Sequence, residues 1–115
     1  MSSRRISSIA TDPPRVEILV FDGCSNAEPT RELVGRVACE LAIEPEIRVV
    51  LVPDAEAAQS SRFLGSPTIR VDGHDIEPGA EQRTDFAFSC RVYRTDSGLA
   101  GQPDEIWLRD ALTKR

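Results

Sequence analysis

Residues 16–24 read Val16-Glu17-Ile18-Leu19-Val20-Phe21-Asp22-Gly23-Cys24, and this stretch decides the fold. Its first six residues are largely β-branched, aliphatic or aromatic and are closed by the turn pair Asp22-Gly23, the pattern of a buried strand. After the cysteine, Asn26 is placed to cap a helix, with Pro29 as its third residue, where no intrahelical N–H is yet required. Leu33, Val34, Val37, Ala38 and Leu41 follow at helical spacing and make one apolar stripe. A second strand, Ile47-Arg48-Val49-Val50-Leu51-Val52, is apolar at nearly every position and is expected to be central and covered on both faces. Strand, helix and strand in that order imply a right-handed crossover with parallel strands. Cys24 then sits at the carboxyl end of the first strand, the edge where sites of open α/β sheets gather.

Farther along, Asp54 after Pro53 is expected to cap a short helix running to Leu64, with Gly65 as its left-handed stop. Thr68-Ile69-Arg70-Val71, then Asp72-Gly73, then His74-Asp75-Ile76-Glu77 reads as a hairpin, its Asp-Gly pair favouring a type I′ turn. Residues 78–102 are polar and Gly-rich around a cluster of Phe86, Phe88, Cys90, Val92 and Tyr93, and alternation there suggests an extra strand over Phe86 to Tyr93. A stretch this long without a firm element is often functional. A last helix opens with Pro103, Asp104 and Glu105 and closes with Lys114 and Arg115, a charge order that suits its dipole. Trp107, Leu108, Ala111 and Leu112 form its core face. The order is β-α-β-α-β-β-α, an α/β sandwich about a central mixed sheet.

At the other end, Met1 to Pro14 read as a disordered leader, so the folded domain is expected over residues 15–115. Arg4 and Arg5 lack the apolar segment that would make them part of a signal peptide. The chain has 115 residues and a formal net charge of −5, which fits one domain and argues against nucleic acid or a membrane as partner. No apolar run approaches the roughly 18 residues of a membrane-spanning helix. Three cysteines are too few, and odd in number, for a disulfide-scaffolded secreted domain, so a cytoplasmic location with reduced thiols is expected. Neither common glycine-rich phosphate cradle is present, and no cofactor or metal is expected.

The element order, the cysteine after the first strand and Gly65-Ser66-Pro67-Thr68 before the third resemble the thioredoxin superfamily. More narrowly, Phe63-Leu64-Gly65-Ser66-Pro67-Thr68, Val71-Asp72-Gly73, Glu77-Pro78-Gly79, Arg83-Thr84-Asp85-Phe86 and Ser89-Cys90-Arg91-Val92-Tyr93 are similar to the small bacterial DF family (seleno)protein group. Some members of that group carry the label alkylmercury lyase. The resemblance implies a thioredoxin-like fold with a cis peptide bond before Pro67. It also implies a catalytic thiol at Cys24 and a substrate backbone held by Ser25, Ser66, Pro67 and Thr68. One departure stands out: thioredoxins carry Cys-x-x-Cys, whereas this chain reads Cys24-Ser25-Asn26-Ala27, without the resolving cysteine.

Each cysteine admits two readings. Cys24 precedes a helix whose N–H groups and dipole favour a thiolate, with Asp22 opposing; otherwise it is a half-buried turn residue. Cys90, beside Arg91, is either a second reactive thiol, which the resemblance implies could reach Cys24, or a core residue on an alternating strand. Cys39 falls opposite the apolar stripe, near Gly35 and Ala42, and is expected to be a packing contact; exposed, it would be a surface thiol. His74 is expected to be a lone surface histidine. Arg83, Arg91 and Arg94 make either a small anion site or, as expected, a solvated face paired with Asp85 and Asp96.

Three functions follow as expectations. The first is a thiol–disulfide oxidoreductase in which Cys24 attacks and Cys90 resolves, acting on a glutathione-like small thiol or a protein disulfide. The second is capture of a thiophilic, mercury-type metal or organomercurial by Cys24 and Cys90, with Asp22 or Asp85 as acid. The third is a non-catalytic thioredoxin-like module that binds a protein partner.

Overall fold

The computed structural model describes residues 12–114. The sequence expectations for residues 1–11 and for Arg115 lie outside the described residues. The chain forms β1 (Arg15–Val20), α1 (Ala27–Glu40), β2 (Glu46–Leu51), α2 (Ala55–Ser60), β3 (Thr68–Val71) and β4 (His74–Asp75). A short 3-10 turn (Ala80–Gln82), β5 (Tyr93–Thr95), β6 (Gly98–Ala100) and α3 (Glu105–Thr113) complete it. The architecture is mixed α/β: a four-stranded sheet in the order β2-β1-β3-β4, plus a separate β5-β6 hairpin. β1 runs parallel to β2 and antiparallel to β3, which is antiparallel to β4.

Alternation along β1 assigns the two sheet faces. Val16, Ile18 and Val20 pack with Val34 and Val37 of α1, Ile69 and Val71 of β3, and Leu108 and Leu112 of α3. Leu19 points the other way, into a smaller cluster with Val52, Ala58 of α2 and Phe63. Two helices therefore cover one face and α2 the other. Arg36 and Arg109 tie α1 to α3 through Glu40 and Glu105. Hydrogen bonding to Arg109 holds the Glu40 carboxyl below its ordinary range, and Arg36 does the same for Glu105. The four groups are substantially exposed, so they orient the helices more than they stabilise them. Among the described residues, no helix is long and apolar enough to cross a membrane.

The expectation for β2 is corrected. It is an edge strand paired only with β1, and Ile47, Val49 and Leu51 are 39%, 50% and 58% exposed. Their register opposite Val16, Ile18 and Val20 sets them on the face that α1 covers, yet the buried side of α1 packs over β1 and β3 instead. An apolar run reports what a strand is made of, not whether a helix reaches it.

The helix ends are corrected too. α2 stops at Ser60, capped at its start by Asp54, whose carboxylate accepts the Ala57 N–H at 2.8 Å. The left-handed stop is Arg62 (φ 58°), with Phe63 N–H bonding Ala58 O and Arg62 N–H bonding Gln59 O, and not Gly65. α1 ends on the same motif at Ala42 (φ 57°). α3 begins at Glu105, with Asp104 as its cap, accepting from Ile106 N–H, rather than in its first turn. The hairpin turn has both Asp72 (φ 52°) and Gly73 (φ 88°) left-handed, as a type I′ turn requires, but β4 is only two residues long.

Candidate functional site

Cys24 follows the Asp22-Gly23 turn at the carboxyl end of β1 and is half-buried against the main core cluster. Its N–H donates to Phe21 O at 3.3 Å, and its carbonyl accepts the Ala27 N–H at 3.2 Å. The Thr30 N–H goes to Asn26 O, and Pro29 has no N–H, so much of the first turn's donor capacity is already used. Asn26 occupies the cap position, but its side chain makes no capping hydrogen bond. That side chain lies against Gly101, where a Cβ would fall 2.4 Å from Asn26 Nδ2. The segment after β6 thus closes over the start of α1. Ser25 and Asp22 beside Cys24 are exposed.

On the neighbouring strand, the Ser66-Pro67 peptide bond is cis, as expected. Ser66, Pro67 and Thr68 are fully buried, and their polar atoms bond within the chain. Ser66 Oγ accepts the Phe21 N–H at 3.3 Å, Thr68 Oγ1 donates to Gly65 O at 2.6 Å, and the Tyr93 hydroxyl donates to Pro67 O. The backbone of Ser66 is taken by the residues around Cys90. Ser66 N–H donates to Ser89 O at 2.8 Å and Ser66 O accepts the Arg91 N–H at 2.9 Å, an isolated parallel bridge between Ser66 and Cys90.

Cys24 and Cys90, 66 positions apart in the chain, are therefore joined by a short relay of contacts. Cys24 bonds Phe21, Phe21 bonds Ser66, and Ser66 is bridged to Cys90. The rings of Phe21 and Phe88 reinforce it, with centroids 5.4 Å apart. All three cysteines are free thiols, Cys90 and Cys39 exposed. The expected packing role of Cys39 is corrected: it is exposed on the outer side of α1 among the described residues.

Around Cys90 the expected alternation holds only over residues 90–93, with the opposite phase. No strand forms over residues 86–92, and Phe88, Cys90 and Val92 face outward, Phe88 at 43% and Val92 at 63% exposure. The core-residue reading of Cys90 is thereby overturned, and of the expected aromatic cluster only Tyr93 is fully buried. The inward positions are Arg91 and Tyr93. Arg91 Nη1 donates to Asp75 Oδ2 at 2.8 Å and Thr68 Oγ1 at 2.9 Å, and Nη2 to Glu77 Oε1 at 2.5 Å and Asp75 Oδ1 at 3.3 Å. Its guanidinium also lies 4.4 Å from the Tyr93 ring centre. Burial works against the charge of Arg91. Hydrogen bonding to Asp75, with further support from Tyr93 and Glu77, outweighs it and raises the Arg91 pKa.

In magnitude the two phases lie close together. Burying Phe88 and Val92 instead would gain about 1.5–3 kcal/mol for each side chain. Breaking a buried ion pair from one side costs about 3–5 kcal/mol, and here one guanidinium meets two carboxylates. The two effects are of similar size, and the hydrogen-bonded pairing decides. Gly65 completes the seat: a Cβ there would fall 2.8 Å from Arg91 Cβ and 3.0 Å from its Cα.

The solvated-face expectation for the arginines divides. Arg83 pairs with Asp85 as expected, Nη2 to Oδ2 at 2.7 Å, and also reaches Glu77 Oε1 at 3.2 Å. Hydrogen bonding to Arg83 holds the Asp85 carboxyl below its ordinary range. Arg91 is buried and committed, so no anion site forms from it. His74 is exposed, with Nδ1 2.7 Å from Glu81 Oε2. Among the described residues, no three His, Cys, Asp or Glu side chains are grouped to hold a metal ion. Sequence reasoning missed Asp75, Glu77 and Tyr93 as supports of the Cys90 segment. The available signal was two acidic residues at strand spacing on the hairpin, matched by an arginine and a tyrosine at the same spacing later in the chain.

No protein-family model, curated protein or solved structure matches the chain.

Proposed function

We propose that the chain is a thioredoxin-like thiol–disulfide protein in which Cys24 attacks and Cys90 resolves. The sheet order β2-β1-β3-β4, with Cys24 after β1 and Pro67 just before β3, supports the thioredoxin-like reading. The observation that carries the pairing is the Ser66–Cys90 bridge, which ties the second thiol to the strand beside the first. It supplies from the far end of the chain what the Cys24-Ser25-Asn26-Ala27 sequence lacks.

The Cys24 thiolate attacks one sulfur of a substrate disulfide, forming a mixed disulfide and releasing the other sulfur as a thiolate that takes up a proton. The Cys90 thiolate then attacks Cys24 Sγ, releasing the second substrate thiol and leaving a Cys24–Cys90 disulfide. Two electrons pass from the protein thiols to the substrate, a glutathione-like or protein disulfide, and a thiol reductant of the cytoplasm returns the pair to the dithiol. Ser25, exposed beside Cys24, contacts the substrate. Ser66, Pro67 and Thr68 form the wall behind the thiols, because their polar atoms are bonded within the chain.

The test uses a Cys39→Ser background, which removes the exposed third thiol. With glutathione disulfide, Cys90→Ser should accumulate a mixed disulfide at Cys24, whereas the protein retaining Cys90 should clear it. Equal accumulation in both proteins would remove Cys90 from the mechanism.

A further inference from the structure

We propose that Arg91 is a positioning residue for Cys90: its guanidinium, gripped by Asp75 and Glu77, fixes which side of residues 90–92 faces outward and so holds the thiol beside Ser66. This rests on the thiol-pair reading above and adds to it the device that keeps the second thiol in place.

The start of the segment is held by Ala87 N–H to Phe63 O, Gln59 Nε2 to Phe86 O and the Phe21–Phe88 ring contact, and Arg91 is what holds the stretch just after Cys90. Outside the single bridge to Ser66, no sheet ladder holds residues 86–92. In an extended backbone successive side chains alternate, so fixing Arg91 inward turns Cys90 outward. Left to hydrophobicity alone, Phe88, Cys90 and Val92 would face the core and the thiol would be lost to chemistry. Arg91 prevents this with a side chain only 1% exposed, held by both carboxylates and by Thr68 Oγ1. Thr68 lies next to Pro67 and two residues from Ser66, so the guanidinium and the Cys90 bridge anchor to the same short stretch of chain. Arg83 extends the grip by bonding the same Glu77 oxygen, Oε1, and Asp85 beyond it. Glu77, Arg83, Asp85 and Arg91 are therefore linked into one brace behind the thiol.

The experiment measures the equilibrium between the Cys24–Cys90 dithiol and glutathione disulfide in the Cys39→Ser background. Two protein thiols give up two electrons and two protons, and one glutathione disulfide becomes two glutathione molecules. Arg91→Met should lower the equilibrium constant for the intramolecular disulfide at least ten-fold in protein that is still folded, as judged by its single tryptophan. Arg91→Lys, which keeps the charge but not the two-sided grip, should recover part of the loss. A role confined to stability would shift unfolding and leave this constant unchanged. An unchanged constant in folded Arg91→Met, or equal losses in the Met and Lys variants, overturns the proposal. Should Arg91→Met fail to fold, Glu77→Gln and Arg91→Lys carry the same comparison, and an unchanged constant in both overturns it. Absence of any Cys24–Cys90 disulfide in the parent protein removes the thiol-pair reading itself, and the brace with it.

Discussion

Cys90 and Arg91 are sequence neighbours whose side chains part ways, the thiol to solvent and the guanidinium to the interior. The adjacent Tyr93 makes this arrangement measurable, because it is the only tyrosine in the chain. Burial first, with the carboxylates of Asp75 and Glu77 adding to it and Arg91 opposing, pushes its hydroxyl well above the ordinary value of about 10. A raised folded-state value contributes stability that is complete below the unfolded value and is lost as pH rises beyond it. Absorbance at 295 nm should therefore stay flat through pH 10 and rise only together with alkaline unfolding. A reversible rise near pH 10 in folded protein would place the hydroxyl in water. The positions of Cys24 and of Ser66 to Thr68 were legible in the sequence, because strand boundaries and turn residues mark them. The phase of residues 90–92 was not, because hydrophobicity favours the opposite phase and the deciding partners, Asp75 and Glu77, are remote in sequence.

Among the elements, β1 and β2 look alike in composition and differ in what covers them. Ile18→Ala in central β1 should cost about 2–5 kcal/mol, as truncation in a packed core does. Val49→Thr on edge strand β2 should change stability by no more than about 0.5 kcal/mol. Urea denaturation of the two variants checks the corrected position of β2, and similar large losses would mean that its outer row is covered. The end of α1 offers an opposite effect. Ala42 holds a left-handed conformation that glycine adopts freely, so Ala42→Gly should stabilise by roughly 0.5–1 kcal/mol in the same assay. Both helix stops escaped sequence reading because alanine and arginine do not announce a left-handed residue, whereas Asp72-Gly73 and the Asp54 cap were readable from residue type.

Across the whole molecule, the element order through β4 and the last helix follow from sequence pattern, while the β5-β6 hairpin and the brace do not. The reason is physical: periodicity reports local faces, and these features depend on pairings between distant residues. The fold brings three separated segments to one edge of the sheet. The turn after β1 delivers Cys24, the turn before β3 delivers Ser66, and the loop after β4 delivers Cys90. The central claim is that these two cysteines work as a pair, and peptide mass mapping addresses it most directly. Cys39→Ser protein equilibrated in mildly oxidising glutathione should yield monomer with the Cys24 and Cys90 peptides covalently joined. Cys24 found only on glutathione or on a second chain, with Cys90 still free, would contradict the account.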